Sequence, residues 1–305
     1  MSGPDSTAAS APRPTAVAGI FYPAGADELA TMVDELLGTA RSAFPAPAGP
    51  AAVMGAGILV PHAGLVYSGI VAAAGWRALL PSPDPAGRPP TIVLLGTNHG
   101  AAWLDGVGAW DGGPWRTPLG EIPIDRELTD AVIALGDPFA ADARCHLGEH
   151  SLEVQLPFVR RLAPAARIVA LAVGTGTGRR GVEAGERLGE LLRERRAGGS
   201  PILLVASSDM AHYPRAAVCE RVTEALLPHI LGLAPEALAR AEAAATRVEP
   251  GVSCGMCGIG PAVLGLAALR AMGARPGVTL ASATSADAGG DPRRTVGYLA
   301  VAFAA

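Results

Sequence analysis

Apolar positions in this chain alternate between two rhythms. From Asp27 onward, Leu29, Met32, Val33, Leu36 and Leu37 recur at helical spacing on one face, with Asp27 placed to cap the helix and Gly38 to close it. A proline-rich stretch over 44–52 leads into Gly57-Ile58-Leu59-Val60, an apolar run short enough to read as a buried strand. The alternation repeats to the C-terminus. Further strands are predicted at 91–95, 167–173, 202–206, 278–281 and 296–303, and helices at 68–80, 125–135, 150–163, 181–196, 215–232 and 258–272. Strands that are apolar throughout and separated by helices indicate a buried, largely parallel sheet flanked by helices. No internal repeat is evident and no linker divides the pattern after Ala52, so a single α/β domain over 15–305 is expected. Residues 1–14, rich in Ser, Ala, Pro and Gly, read as a disordered tail.

Composition narrows the chemistry. All 24 basic residues are arginine. Without lysine there is no Schiff base, no lysine general base and no P-loop lysine. A formal net charge of −4 and an isoelectric point near 5.9 argue against a general nucleic-acid binder. The uncharged run from Gly251 to Leu269 approaches membrane-spanning length, but Pro261, polar Ser253 and five glycines mark it as a buried helix entered through a glycine-rich loop. No signal peptide is visible, and Cys145, Cys219, Cys254 and Cys257 are too few for a disulfide scaffold. A cytoplasmic protein with no membrane or nucleic-acid partner is therefore expected.

Three of the six histidines stand close behind predicted strands. His62 follows Ile58-Leu59-Val60-Pro61, His99 follows Gly96-Thr97-Asn98, and His212 follows Ser207-Ser208-Asp209-Met210-Ala211. Open α/β sheets bind ligands beyond the carboxyl ends of their strands, so parallel neighbours would bring these imidazoles together. Glu149-His150-Ser151-Leu152-Glu153 opens a predicted helix with His150 and Glu153 one turn apart, although both acids also suit a solvated helix start. Asp209 is placed to orient an imidazole or to cap a turn. Cys254-Gly255-Met256-Cys257 stands at a predicted helix start and reads as a redox pair, half a zinc site completed by histidines, or two buried thiols.

Other matches carry less. Gly251-Val252-Ser253-Cys254-Gly255 fits the hydrolase nucleophile elbow literally, but a helical stretch and Pro250 precede it where a strand is required. Gly176-Thr177-Gly178-Arg179-Arg180-Gly181 fits a dinucleotide fingerprint outside the first βαβ unit and without the acid at the end of the next strand, which leaves anion binding at most. The arginine-rich helix behind it reads as a solvated face.

Taken together, these phrases resemble the Memo family, whose prokaryotic members are called AmmeMemoRadiSam system protein B. The resemblance rests on Ala16-Val17-Ala18-Gly19-Ile20-Phe21-Tyr22-Pro23, Pro61-His62-Ala63-Gly64-Leu65-Val66-Tyr67-Ser68-Gly69 and Leu94-Leu95-Gly96-Thr97-Asn98-His99. It continues through Glu149-His150-Ser151-Leu152-Glu153-Val154-Gln155-Leu156-Pro157, Ser207-Ser208-Asp209-Met210-Ala211-His212-Tyr213, Cys254-Gly255, and Gly290-Asp291 before Val296-Gly297-Tyr298. Order and spacing hold from about Ala16 to the C-terminus.

The resemblance implies the fold of the class III extradiol ring-cleavage dioxygenases, with a mononuclear non-haem metal site. By position, the implied metal ligands are His62, His99 and Cys254. His212 takes the place of the acid/base histidine with Asp209 beside it, and Tyr67, Glu149 and His150 are candidates to contact substrate. Iron(II) is the implied metal, with copper or zinc as alternatives, and links to a radical S-adenosylmethionine protein and an AMMECR-type protein are implied as well. The expected activity is that of a dioxygenase-like oxidoreductase on a phenolic or otherwise oxidisable substrate. The alternatives are a non-catalytic metal-binding partner protein and a zinc hydrolase. Two features depart from ring-cleaving enzymes. A cysteine stands where they use a carboxylate, which favours softer metals. Cys257 is a second thiol beside Cys254, placed to compete for the metal or to form a reversible disulfide.

Overall fold

The computed structural model describes residues 11–44, 55–80, 88–174, 178–199 and 201–305. In chain order the elements are α1 (Ala26–Ala43), β1 (Gly55–Val60), α2 (Leu65–Leu79), β2 (Thr91–Thr97), β3 (Val107–Ala109), β4 (Trp115–Thr117), β5 (Gly120–Ile122), α3 (Arg126–Ile133) and β6 (Phe139–Ala141). They continue with α4 (Leu156–Leu162), β7 (Arg167–Val173), α5 (Arg179–Ala197), β8 (Ile202–Ser207), α6 (Ala216–Leu231), α7 (Pro235–Val248), α8 (Ile259–Ala271), β9 (Val278–Thr284) and β10 (Gly297–Ala304).

Eight strands form one sheet in the order β6-β3-β7-β2-β8-β1-β10-β9. Its centre, β7-β2-β8-β1, is parallel, while β10 and β9 add antiparallel strands at one side and β3 runs antiparallel to β7 at the other. Central strands buried on both faces need apolar residues at every position, which is why their sequences do not alternate. Ile58, Ile92, Leu94, Ile168, Leu203 and Val205 pack into a core shared with α1, α2 and α4. The intervening Leu59, Val93, Leu95, Val169, Leu171 and Leu204 pack into a second core with α5, α6 and α8. The expected α/β domain with a largely parallel central sheet flanked by helices is what the structure shows.

Several local expectations change. Helix α1 runs through Gly38 to Ala43, and Asp27 lies in its first turn with Gly25 at the cap position. Buried Ala40 gives the last turn a packing reason that outweighs one glycine. The helix predicted over 150–163 splits into a 3-10 turn, Glu153–Gln155, followed by α4. The three-residue strands β3, β4, β5 and β6 are too short to show a periodicity, and α7, which buries only Pro235 and Leu238, lacked a clear stripe. The run from Gly251 to Leu269 contains the buried helix α8, and no helix of the described residues is long and apolar enough to cross a membrane. Gly176 and Thr177 of the dinucleotide-like match lie outside the described residues, whereas Gly178 stands at the cap of α5.

Of the expected tail, residues 1–10 lie outside the described residues, but Arg13 is a fully buried core residue. Its guanidinium donates to the Glu153 carboxylate at 2.5 Å and to the backbone carbonyls of His146 and Glu149 at 2.8 and 2.6 Å. It also lies 4.1 Å over the Trp115 ring. Glu153, expected at a solvated helix position, is buried too and accepts from the Ala16 and Val17 N–H groups and the Tyr22 hydroxyl. This ion pair fastens the N-terminal segment to the loop that carries Glu149 and His150.

Candidate metal centre

Strands β1, β8 and β2 are adjacent and parallel, so His62, His212 and His99 leave the sheet at the same end, as the sequence predicts for parallel neighbours. His62 is buried beyond β1. Its Nδ1 lies 2.9 Å from the Ser207 hydroxyl oxygen at the end of β8. That hydroxyl spends its only proton on the Ser151 carbonyl at 2.8 Å, and its oxygen also accepts from Gln155 Nε2 at 3.1 Å. Nδ1 of His62 must therefore be the donor, which turns the Nε2 lone pair toward the site. Burial, aided by the nearby His99, pushes the imidazole down to about 3, so it is neutral and ready to ligate.

His99 is set in the same way by Glu149. The imidazole Nδ1 donates to Glu149 Oε1 at 2.9 Å, and the His99 backbone N–H donates to Oε2 at 2.7 Å. Oε1 accepts further from the His150 and Ser151 N–H groups, both at 2.8 Å. Burial opposes the charge on Glu149, but these hydrogen bonds and His99 prevail and hold the carboxyl below its usual range. With three donors on Oε1 and one on Oε2, Glu149 orients His99. His150 stays at the mouth, its ring stacked on His99 at 4.3 Å and tilted against Phe21 at 4.7 Å.

The thiol brought to the histidines is that of Cys257. Its Sγ stands 3.2 Å from His62 Nε2, and the candidate ligand atoms of His62, His99 and Cys257 all lie within 4.8 Å of one another. Among the described residues, Cys254 enters no such group, so the structure does not bring the expected ligand into place. The cause is local. The Cys257 carbonyl accepts from the Thr97 hydroxyl at 3.0 Å, and the next N–H, of Gly258, donates to Ser208 Oγ at 3.0 Å. A Cβ at Gly258 would stand 2.5 Å from the Ser207 carbonyl oxygen, so only glycine lets this turn sit against the end of β8. Cys254 is held by its backbone instead, its carbonyl accepting from the His212 N–H at 3.1 Å while Glu242 of α7 accepts from the Gly255 N–H at 2.9 Å. Burial raises both thiols, Cys254 to about 11 and Cys257 well above the ordinary value, so each carries its proton in the metal-free protein.

Asp209 and His212 complete the cluster, though not as a bonded pair. Asp209 Oδ1 accepts from the His62 and Ala63 N–H groups at 2.7 and 3.2 Å, which fixes the loop behind β1. Its Oδ2 is 3.9 Å from His212 Nε2, beyond hydrogen-bond reach. His212 Nε2 is buried without a hydrogen-bond partner, and burial lowers this imidazole while raising the Asp209 carboxyl. An unpartnered buried imidazole nitrogen beside a thiol and a carboxylate indicates a place for a ligand, a water or an ion. Tyr67 lies in the first turn of α2, half exposed, just past His62.

This donor set fits a metal. An imidazole nitrogen and a thiolate on one tetrahedral ion stand about 3.5 Å apart, close to the 3.2 Å between His62 and Cys257. Both imidazoles have their Nδ1 occupied, which points Nε2 inward. Two nitrogens and a sulfur form a softer set than the two-histidine, one-carboxylate triad. Spacing alone does not choose between the two cysteines, since a glycine follows each of them; the close approach of Gly258 to β8 shows only in the fold.

Comparisons with known proteins agree with this organisation. A family model described as "Memo-like protein" matches residues 13–302. A MEMO1 family protein of Methanopyrus kandleri is 32% identical over 295 residues, covering 95% of this chain and 98% of that protein. One from Aquifex aeolicus is 34% identical over 293 residues, covering 95% and 98%. Another, from Methanocaldococcus jannaschii, is 32% identical over 292 residues, covering 93% and 96%.

Proposed function

The chain belongs to the Memo-like protein family, and on that premise we propose that it is a mononuclear metal protein with dioxygenase-like oxidoreductase activity on a phenolic substrate. His62, His99 and Cys257 hold the metal, with iron(II) as the working ion. The observation that carries this reading is the convergence of two oriented imidazoles and a thiol beside an unpartnered His212 Nε2. A bound iron(II) supplies Lewis-acid polarisation and a template for two reactants. The protein's own groups do the rest. Ser207 and Glu149 fix the two imidazoles, and Asp209 fixes the loop that carries His62. His212, in the tautomer that leaves Nε2 unprotonated, takes the proton of a substrate hydroxyl there, since no protein group occupies that nitrogen. His150, stacked on His99 and against Phe21, offers an aromatic ring a surface beside the ligands, and Tyr67 is the candidate to meet it from the start of α2.

The thiolate in place of a carboxylate favours a second reading, a copper- or iron-holding protein without turnover. Catechol-dependent oxygen uptake by the iron-loaded protein separates the two. His212→Ala is expected to bind iron as the parent does and to lose uptake. Uptake that survives the substitution removes His212 from the chemistry, and iron binding without uptake by the parent favours the holding protein. Links to a radical S-adenosylmethionine protein and an AMMECR-type protein rest on the family resemblance alone and predict co-purification from cell extract.

A further inference from the structure

Immediately after His212 the backbone takes a conformation that side chains rarely adopt. Tyr213 has a φ of 72°, in the left-handed region, where a bulky residue is strained. The neighbouring chain enforces it. The Tyr213 N–H donates to the Thr295 carbonyl at 2.7 Å, while the Thr295 N–H and hydroxyl both donate to the Pro214 carbonyl, at 2.8 and 3.0 Å. The effect is to set the half-exposed Tyr213 ring 5.4 Å from the His212 ring, with the Arg294 guanidinium carbon 4.2 Å over the tyrosine ring centre.

Arg294 differs from the arginine before it. Arg293 is tied to the Asp291 carboxylate through both Nε and Nη2. Among the described residues, the Arg294 side chain has no hydrogen-bond or ion-pair partner, and its one contact of note is the face of Tyr213. A guanidinium lying on an aromatic face leaves its edge donors free, in the planar fork that matches a carboxylate. The two contacts together place it within roughly 10 Å of the His212 imidazole, a span that a small aromatic acid covers with a hydrogen bond at each end.

We propose that Arg294, seated on the strained Tyr213, is the anion-recognition edge of the metal centre, and that the substrate is a small phenolic molecule bearing a carboxylate. The hydroxyl end reaches His212 and the metal ligands while the carboxylate pairs with the Arg294 fork. This rests on the phenolic-substrate reading above and names its substrate class.

Equilibrium binding to the anaerobic, iron(II)-loaded protein tests it, with 3,4-dihydroxybenzoate and its neutral isostere 3,4-dihydroxybenzamide as probes. The acid is expected to bind about tenfold more tightly than the amide, the size of a charge-assisted hydrogen bond at a partly exposed site. That preference should vanish in Arg294→Gln and persist in Arg293→Gln. Tyr213→Gly, which takes the same φ without strain and so keeps the fold, should lose most of it. Equal affinities in the parent, or a preference untouched by Arg294→Gln, overturn the proposal. Failure of the acid and the amide alike to bind overturns the phenolic reading and this inference with it, so the two failures are told apart.

Discussion

If Cys257 completes the site, metal binding has to expel a proton, and the structure says how many. His62 is already neutral, its imidazole pushed down to about 3 by burial. The Cys257 thiol, by contrast, is held protonated by burial and by the neighbouring Asp209. One proton should therefore leave per metal ion, so the apparent affinity rises about tenfold per pH unit between about pH 7.5 and 9, roughly 1.4 kcal/mol each. Chelator competition with zinc(II) across that range gives the slope. Calorimetry in buffers of different ionisation heats counts the proton independently. Cys257→Ser should flatten the dependence, because a serine hydroxyl does not ionise in this range. A parent affinity independent of pH would refute a thiolate ligand, and a slope of two protons would show that Cys254 ionises as well.

Three further outcomes follow from the same contacts. Glu149→Gln places an amide where four donors converge on a carboxylate, so metal affinity should fall about 10- to 100-fold in titration while the melting profile still shows a folded protein; unchanged affinity would deny Glu149 its orienting role. Arg13→Met leaves the Glu153 carboxylate buried without its cation and should cost about 3–5 kcal/mol in urea unfolding, partly recovered by adding Glu153→Gln; a loss under about 1 kcal/mol contradicts the clamp. In the metal-free protein, burial depresses His62 to about 3 and His146 and His150 to about 4, so the unfolded chain binds more protons below about pH 6.5. Stability should then fall on acidification by up to about 4 kcal/mol per pH unit near pH 5, and a flat profile between pH 7 and 5 would contradict these buried neutral imidazoles.

The parts legible in the sequence were those with a strong local signal. Apolar runs such as Ile92-Val93-Leu94-Leu95 could only be strands buried on both faces, and the histidines behind them marked the carboxyl ends where ligands gather. What was not legible depended on contacts between distant segments. Arg13 looked like part of a polar tail because its partner, Glu153, lies 140 residues away. Glu149 looked like a helix-start charge because the donors that fill it include a side chain from the loop after β2. Cys254 stood where the family motif places a ligand, while the choice of Cys257 rests on the Thr97 and Ser208 hydroxyls and on the tight approach of Gly258 to β8.

The central claim is that the thiol facing His62 and His99 belongs to Cys257. Cobalt(II) titration of the metal-stripped protein, followed in the near ultraviolet where a thiolate–cobalt bond absorbs strongly, reads this directly. A band that saturates at one equivalent is expected in the parent and in Cys254→Ser, and no band in Cys257→Ser. A band lost in Cys254→Ser and retained in Cys257→Ser would contradict it.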